Sequence, residues 1–314
     1  MIVNAVMEYA GLSRVEIAQK TELAPSTVSA LVTELLGEGV LVEAGSVVTA
    51  GRSRTELTVN PEYGSLAVIE IGRQETCVTW FDMLLRPIGT DVLSHRYVSG
   101  NVLLSLITEH IRAMEQDQPP LVGLGLLFQE DMRESDFRVM YSTGVSSASI
   151  TLKEALITQY RVPIEEEYSV SYTVTHALAE EVDLDARNSA HISVGSRVLT
   201  RVTVNGMDIP LCNNFCEELA DAMERQDGRS MEQRGLMEYL SRLIAMLCML
   251  FPLETVFLSG KSLPEGHIEA QLNDGVHRIL KRGSIPKLKI LRPLSRENGS
   301  AVMAAQVRKL VLVG

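Results

Sequence analysis

Residues 12–45 read LSRVEIAQKTELAPSTVSALVTELLGEGVLVEAG, and this stretch decides how the chain is built at its start. Ser13-Arg14-Val15-Glu16 is a capping box: the Ser13 hydroxyl can accept from the Glu16 amide while the Glu16 carboxylate reaches back. A short helix follows, turning Ile17 and Ala18 inward. The turn Thr21-Glu22-Leu23-Ala24 leads to Pro25. Proline suits the first position of a helix, where its missing N–H would have no partner anyway. In that helix Val28, Leu31, Val32, Leu35 and Leu36 recur at i, i+3, i+4, i+7 and i+8, a stripe predicted to be buried. Gly37 and Gly39 stop it.

Working outward, Val3, Val6, Met7 and Ala10 form an earlier amphipathic helix that ends at Gly11. Downstream, Val40-Leu41-Val42-Glu43 and Val47-Val48-Thr49 flank Ala44-Gly45-Ser46 and read as a hairpin. Helix, helix, turn, helix and hairpin make a winged helix-turn-helix, whose third helix would enter a major groove. The exposed face of that helix would be Ser26, Ser29 and Thr33, with Thr27 and Ala30 beside them; it carries no Lys or Arg. A three-helix bundle used for protein contacts has the same pattern.

Charge weighs against nucleic acid. The 314 residues hold 29 Lys and Arg against 40 Asp and Glu, a net of −11. The first sixty carry Arg14, Lys20, Arg52 and Arg54 against Glu8, Glu16, Glu22, Glu34, Glu38, Glu43 and Glu56, a net of −3. DNA affinity rests on cations that neutralise phosphates. Two of the four cations stand together in Gly51-Arg52-Ser53-Arg54. Read as a flexible segment after the hairpin, this would place Arg52 and Arg54 in a narrow A·T-rich minor groove.

LSRVEIAQKTELAPSTVSALVTELLGEGVLVEAG, followed by GRSRTELTVNPEYG at residues 51–64, resembles the DNA-binding domain and linker of the ROK family (repressors, open reading frames and kinases), in its repressor branch. The Gly-Arg start and the Leu57-Thr58-Val59-Asn60-Pro61 ending carry the likeness, which continues more faintly to the C-terminus. The resemblance implies a winged helix-turn-helix over residues 1–50, a linker over 51–61, and a ROK-like regulatory and dimerisation domain over 62–314. That domain would be α/β, with two actin-like (RNase H-like) lobes, about 62–170 plus 300–314 and about 171–299. The implied partners are operator DNA, a second copy of the chain and a small-molecule effector that the sequence does not identify.

The residues from 62 onward support an α/β reading on their own. Strands are predicted at 65–72, 76–81, 121–128, two within 190–204, and 256–260; helices at 102–115, 152–160, 174–181, 235–250 and 300–310. Composition is that of a folded protein, with 46% hydrophobic and 22% charged residues. The N-terminus lacks a basic region before its apolar stretch and Leu243–Leu253 is too short to span a bilayer, so the expected location is cytoplasmic, away from membranes. Cys77, Cys212, Cys216 and Cys248 are expected as thiols.

Positions that would serve a ROK sugar kinase are substituted. Where the family has a phosphate loop of the form Asp-x-Gly-Gly-Thr, this chain has Glu70-Ile71-Gly72-Arg73-Gln74. The catalytic aspartate is matched by Tyr172, and a phenol with a pKa of about 10 is a poor base at neutral pH. Ser196-Arg197-Val198-Leu199-Thr200 replaces the second glycine-rich loop after Ser193-Val194-Gly195, and Phe128-Gln129 replaces a proline-glycine pair. The segment that would supply a zinc-ligating histidine and a sugar-binding glutamate is missing between Asn205 and Cys216, which leaves Cys212 and Cys216 too few for a tetrahedral site. No metal, cofactor or catalysis is expected. His176 reads as an ordinary helix histidine, Glu165-Glu166-Glu167 as a solvated strand end, and the methionines of 231–249 as packing. The alternatives are a sugar kinase with an appended regulatory domain and an interaction module that does not touch DNA.

Overall fold

A computed structural model describes residues 1–9, 11–49, 52–96, 98–116, 118–129, 132, 137–142, 147–168, 187–195, 198–209, 211, 215–216, 218–220, 222, 235–260, 262–264, 267–280, 285–291 and 295–314. The chain opens with α1 (Ile2–Glu8), α2 (Arg14–Thr21) and α3 (Pro25–Gly37), followed by an antiparallel ribbon of β1 (Leu41–Thr49) and β2 (Arg52–Val59). The capping box forms as read: the amide and hydroxyl of Ser13 donate to Glu16 Oε2 at 2.9 and 2.8 Å, and the Glu16 amide donates to Ser13 Oγ. Pro25 starts α3. Ile17, Val28, Val32 and Leu57 are fully enclosed, with Leu41 and Val59 beside them. The α3 stripe is narrower than its periodicity suggests, because Leu31 is 38% exposed. The neighbouring helices, seven and eight residues long, are too short to cover it all.

The ribbon also departs from the sequence reading. Ala44-Gly45-Ser46 is no turn; it lies inside β1, where the register shifts between Glu43 and Gly45 and Gly45 takes φ +148°. Glycine tolerates that backbone, so a residue that signals a turn here makes a bulge instead. The ladder then runs on to Thr49↔Arg52, pairing more backbone than the shorter hairpin would. Arg52 and Arg54, read as a flexible linker, are therefore strand residues. Leu12 pairs with Leu57 along the outer edge of β2, the Leu57 amide donating to the Leu12 carbonyl at 2.9 Å, so the α1–α2 connection acts as a third strand. Asn60 ties the ribbon's end to that of α3: its side-chain amide donates to the Gly39 carbonyl at 2.8 Å and its backbone amide to Val40.

Cα packing divides the chain into two compact units, residues 1–128, 132–167 and 300–314, and residues 129–131 and 168–299. Beyond the ribbon, the first unit contains β3 (Ser65–Ile71), β4 (Glu75–Asp82), β5 (Pro87–Ser94), α4 (Gly100–Glu115), β6 (Leu121–Phe128), the hairpin of β7 (Arg138–Ser142) and β8 (Ser147–Thr151), α5 (Leu152–Tyr160) and β9 (Ile164–Tyr168). Among the described residues the main sheet orders as β5-β4-β3-β6-β9, with β3 and β6 parallel. β3 is buried on both faces, in keeping with its apolar run Leu66-Ala67-Val68-Ile69.

In the second unit the sheet orders as β12 (Met207–Ile209), β11 (Val198–Val204), β10 (Ser189–Val194), β13 (Thr255–Ser259) and β14 (Lys287–Ile290), with α6 (Leu236–Leu250) and α7 (Ile268–Ile279). Strands β10, β13 and β14 run parallel. Ala190, Ile192, Val194, Val256 and Leu258 pack against Leu240, Leu243, Ile244 and Leu247 of α6 and Leu272 and Val276 of α7. The alternate positions Ser189, His191, Ser193, Thr255 and Ser259 are polar, yet buried as well. His191 Nε2 lies 2.9 Å from Ser259 Oγ. Burial, and secondarily the charge of Arg201, push the imidazole down to about 3, so it is neutral.

The last helix, α8 (Arg296–Val313), lays Met303 and Val307 on β6 in the first unit. Gly123 and Gly125 admit it: a Cβ on Gly123 would come within 2.6 Å of Val307 Cγ1, and one on Gly125 would collide with Met303 Cγ. No helix among the described residues is long and apolar enough to cross a membrane.

Candidate nucleic-acid interface

The local fold sorts α3 into two faces. Val28 and Val32 are wholly enclosed, while Ser26, Thr27, Ser29, Ala30 and Thr33 are exposed. The structure thus brings the four proposed groove residues onto one helix face, with side chains small enough for close approach. The Thr33 hydroxyl donates to the Ser29 carbonyl at 2.8 Å, which leaves its oxygen outward as an acceptor.

The cations of this region are largely engaged within the fold. Arg54 donates to Glu16 Oε1 at 2.7 Å, so this β2 arginine is turned toward α2 rather than held on a flexible tether. Arg14 lies 4.0 Å from Glu43 Oε1, and the Lys20 ammonium sits 3.3 Å from the centroid of the Tyr9 ring. Arg52 stands on β2 opposite Thr49, next to the end of the ladder; its side chain is outside the described residues. Glu16 is the residue that sequence reasoning placed only in part. Its carboxyl is held below the usual carboxylate range by the Ser13 backbone and hydroxyl and by Arg54. The capping box was visible in the sequence, whereas the ion pair joins positions 38 apart.

At the first kinase-like position, Glu70 is buried in β3, and β3 turns directly into β4. Ile71 pairs with Thr76, and the Gly72 amide donates to the Glu75 carbonyl at 3.0 Å, leaving Arg73 and Gln74 exposed at the tip of a tight hairpin. Such a tip offers bulky side chains where a phosphate cradle offers converging amides. Tyr172, His176, Ser196, Arg197 and Cys212 lie outside the described residues. Cys216 is buried, its Sγ 3.0 Å from Thr200 Oγ1, and its carbonyl accepts from the Tyr239 hydroxyl at 2.8 Å. Among the described residues no group of three His, Cys, Asp or Glu is placed to hold a metal ion. Glu165 and Glu167 are half-buried and Glu166 exposed on β9, an edge strand. Met237 and Met246 are half-buried against the core of the second unit, and Met249 is exposed.

A solved ROK family transcriptional regulator, a homologue of the E. coli MLC protein, superposes over 99% of this chain and 94% of its own, with a TM-score of 0.61 and 13% identity. The chain shares the fold of that regulator. Sequence comparison finds likeness to proteins named as repressors and transcriptional regulators over about half of the chain. A xylose repressor of Bacillus subtilis is 25% identical over 174 residues, covering 52% of this chain and 44% of that protein. The E. coli transcriptional dual regulator NagC is 20% identical over 166 residues, covering 51% and 41%. The chain thus spans less than half the length of the curated relatives it matches. No protein-family model matches it.

Proposed function

We propose that the chain is a DNA-binding transcriptional regulator acting as a repressor. In this reading α1, α2, α3 and the β1–β2 ribbon form a winged helix-turn-helix, and α3 enters the major groove of an operator. Residues 62–314 form a regulatory and dimerisation body that has lost sugar-kinase catalysis and zinc. The observation that carries the reading is the two-faced α3, which exposes Ser26, Thr27, Ser29, Ala30 and Thr33 while Val28 and Val32 are fully enclosed. Short hydroxyl side chains let the helix backbone approach the base edges and can pair with bases or phosphates.

A homodimer completes the reading. One half-site contact with so few free cations is weak, and two-fold symmetry doubles it. The test is a gel-shift titration of Arg52→Ala across salt. The expected result is weaker binding with a salt slope flatter by about 0.9 for a lost phosphate contact. Unchanged affinity and slope would remove Arg52 from the interface. A coupled ATP-consumption assay over a hexose panel should show no turnover, and turnover with any sugar would overturn the reading.

A further inference from the structure

We infer that Glu16 gates the DNA contact of Arg54: the guanidinium is held by Glu16 in the free protein and is handed to a backbone phosphate on binding. The inference rests on the DNA-binding reading above and adds to it the way in which an acidic domain limits its own affinity.

The geometry makes Glu16 a fixed post. Its Oε2 accepts from both the amide and the hydroxyl of Ser13, and its Oε1 accepts from Arg54 at 2.7 Å. Because the cap holds the carboxylate to the first turn of α2, it cannot follow Arg54; the guanidinium either stays or leaves. The ribbon does not depend on the pair for its place, since Leu12 and Leu57 pin β2 by a backbone hydrogen bond and Asn60 ties its end to Gly39 and Val40. Both partners are partly open to solvent, 43% for the arginine side chain and 31% for the glutamate. Such an exposed pair is weak enough to be exchanged for a phosphate. On β2 Arg54 stands opposite Val47, two residues from Arg52 at the end of the ladder, so an arginine released from Glu16 is a cation of the wing. Arg14, near Glu43, is the second cation bridging the start of α2 to the ribbon, but at 4.0 Å it is looser.

The experiment uses the full chain and a fluorescent duplex recovered by the wild-type protein from a random-sequence pool. Dissociation constants are measured by anisotropy at several salt concentrations for wild type, Glu16→Gln, Arg54→Ala and the double variant. Glutamine keeps the capping box and removes the charge, and circular dichroism checks that the melting curve is retained. Glu16→Gln should bind about two- to fivefold more tightly, the range an exposed ion pair supports. Arg54→Ala should cost more affinity in the Glu16→Gln background than in wild type. If Glu16→Gln leaves affinity unchanged or weakens it, or if Arg54→Ala costs the same in both backgrounds, Arg54 only positions the ribbon and the inference is overturned. If the wild type recovers no duplex at all, the DNA-binding reading itself fails, an outcome separate from either of these.

Discussion

Replacing His191 with glutamine should flatten the acid side of the protein's stability profile. The imidazole is 6% exposed in the sheet of the second unit, bonded to Ser259 Oγ, and pushed from its ordinary 6.5 down to about 3. Because the folded value is depressed, the unfolded chain binds the proton more readily, and acid favours unfolding. The contribution is complete above the unfolded value of 6.5 and is lost as pH falls from there toward 3. Linkage gives a loss of about 1 kcal/mol between pH 7.5 and 5.5, and about 3 kcal/mol by pH 4.5. Glutamine retains a polar group for Ser259 but does not titrate. Urea unfolding at pH 7.5, 6.5, 5.5 and 4.5, for wild type and His191→Gln, reads the difference directly, since the carboxylates are common to both. Parallel profiles would refute the reasoning, as would an NMR titration showing folded His191 protonating near 6.5.

The packing makes further predictions. Gly125→Ala should destabilise by about 1–3 kcal/mol through overpacking against Met303, whereas Gly37→Ala, with nothing within 4 Å of the new methyl at the end of α3, should stabilise by up to about 1 kcal/mol; chemical denaturation checks both signs. Ser13→Ala removes the α2 cap and should cost about 1 kcal/mol in the same assay. Burial pushes the Cys248 thiol up to about 11, so mass-spectrometric mapping should find it alkylated slowly at pH 8 in the folded protein and rapidly in urea.

Much of the fold was legible because its signals are local. Ser13 and Glu16 three residues apart announce the start of α2, and Pro25 announces that of α3. Leu152–Tyr160 and Leu121–Phe128 appear at the predicted bounds because each is a clean helical or strand run. Gly45 misled, since glycine serves a turn and a bulge equally well, and only the pairing of Val47-Val48-Thr49 with Arg52-Ser53-Arg54 decides between them. β5, with the sequence PIGTDVLS, was not anticipated: proline, glycine and aspartate are poor strand formers, and an edge position tolerates them. The polar row Ser189, His191 and Ser193 shows the alternation of a strand, yet alternation cannot say that both faces are covered. At the candidate interface the hydroxyl face of α3 was readable from spacing. The engagement of Arg54 was not, because it depends on how the ribbon folds back on α2.

The central claim is that this chain reads a DNA sequence despite a net charge of −3 over its first sixty residues. Selection from a random-sequence duplex pool with the full chain, at 50–100 mM salt and with mixed-sequence competitor, tests it most directly. The account predicts enrichment of an inverted repeat with half-sites about 10 base pairs apart, one helical turn, and its loss when Ser29 is replaced by Asp on the exposed face of α3. Recovery of no sequence above mixed DNA, or equal recovery by Ser29→Asp, would contradict it.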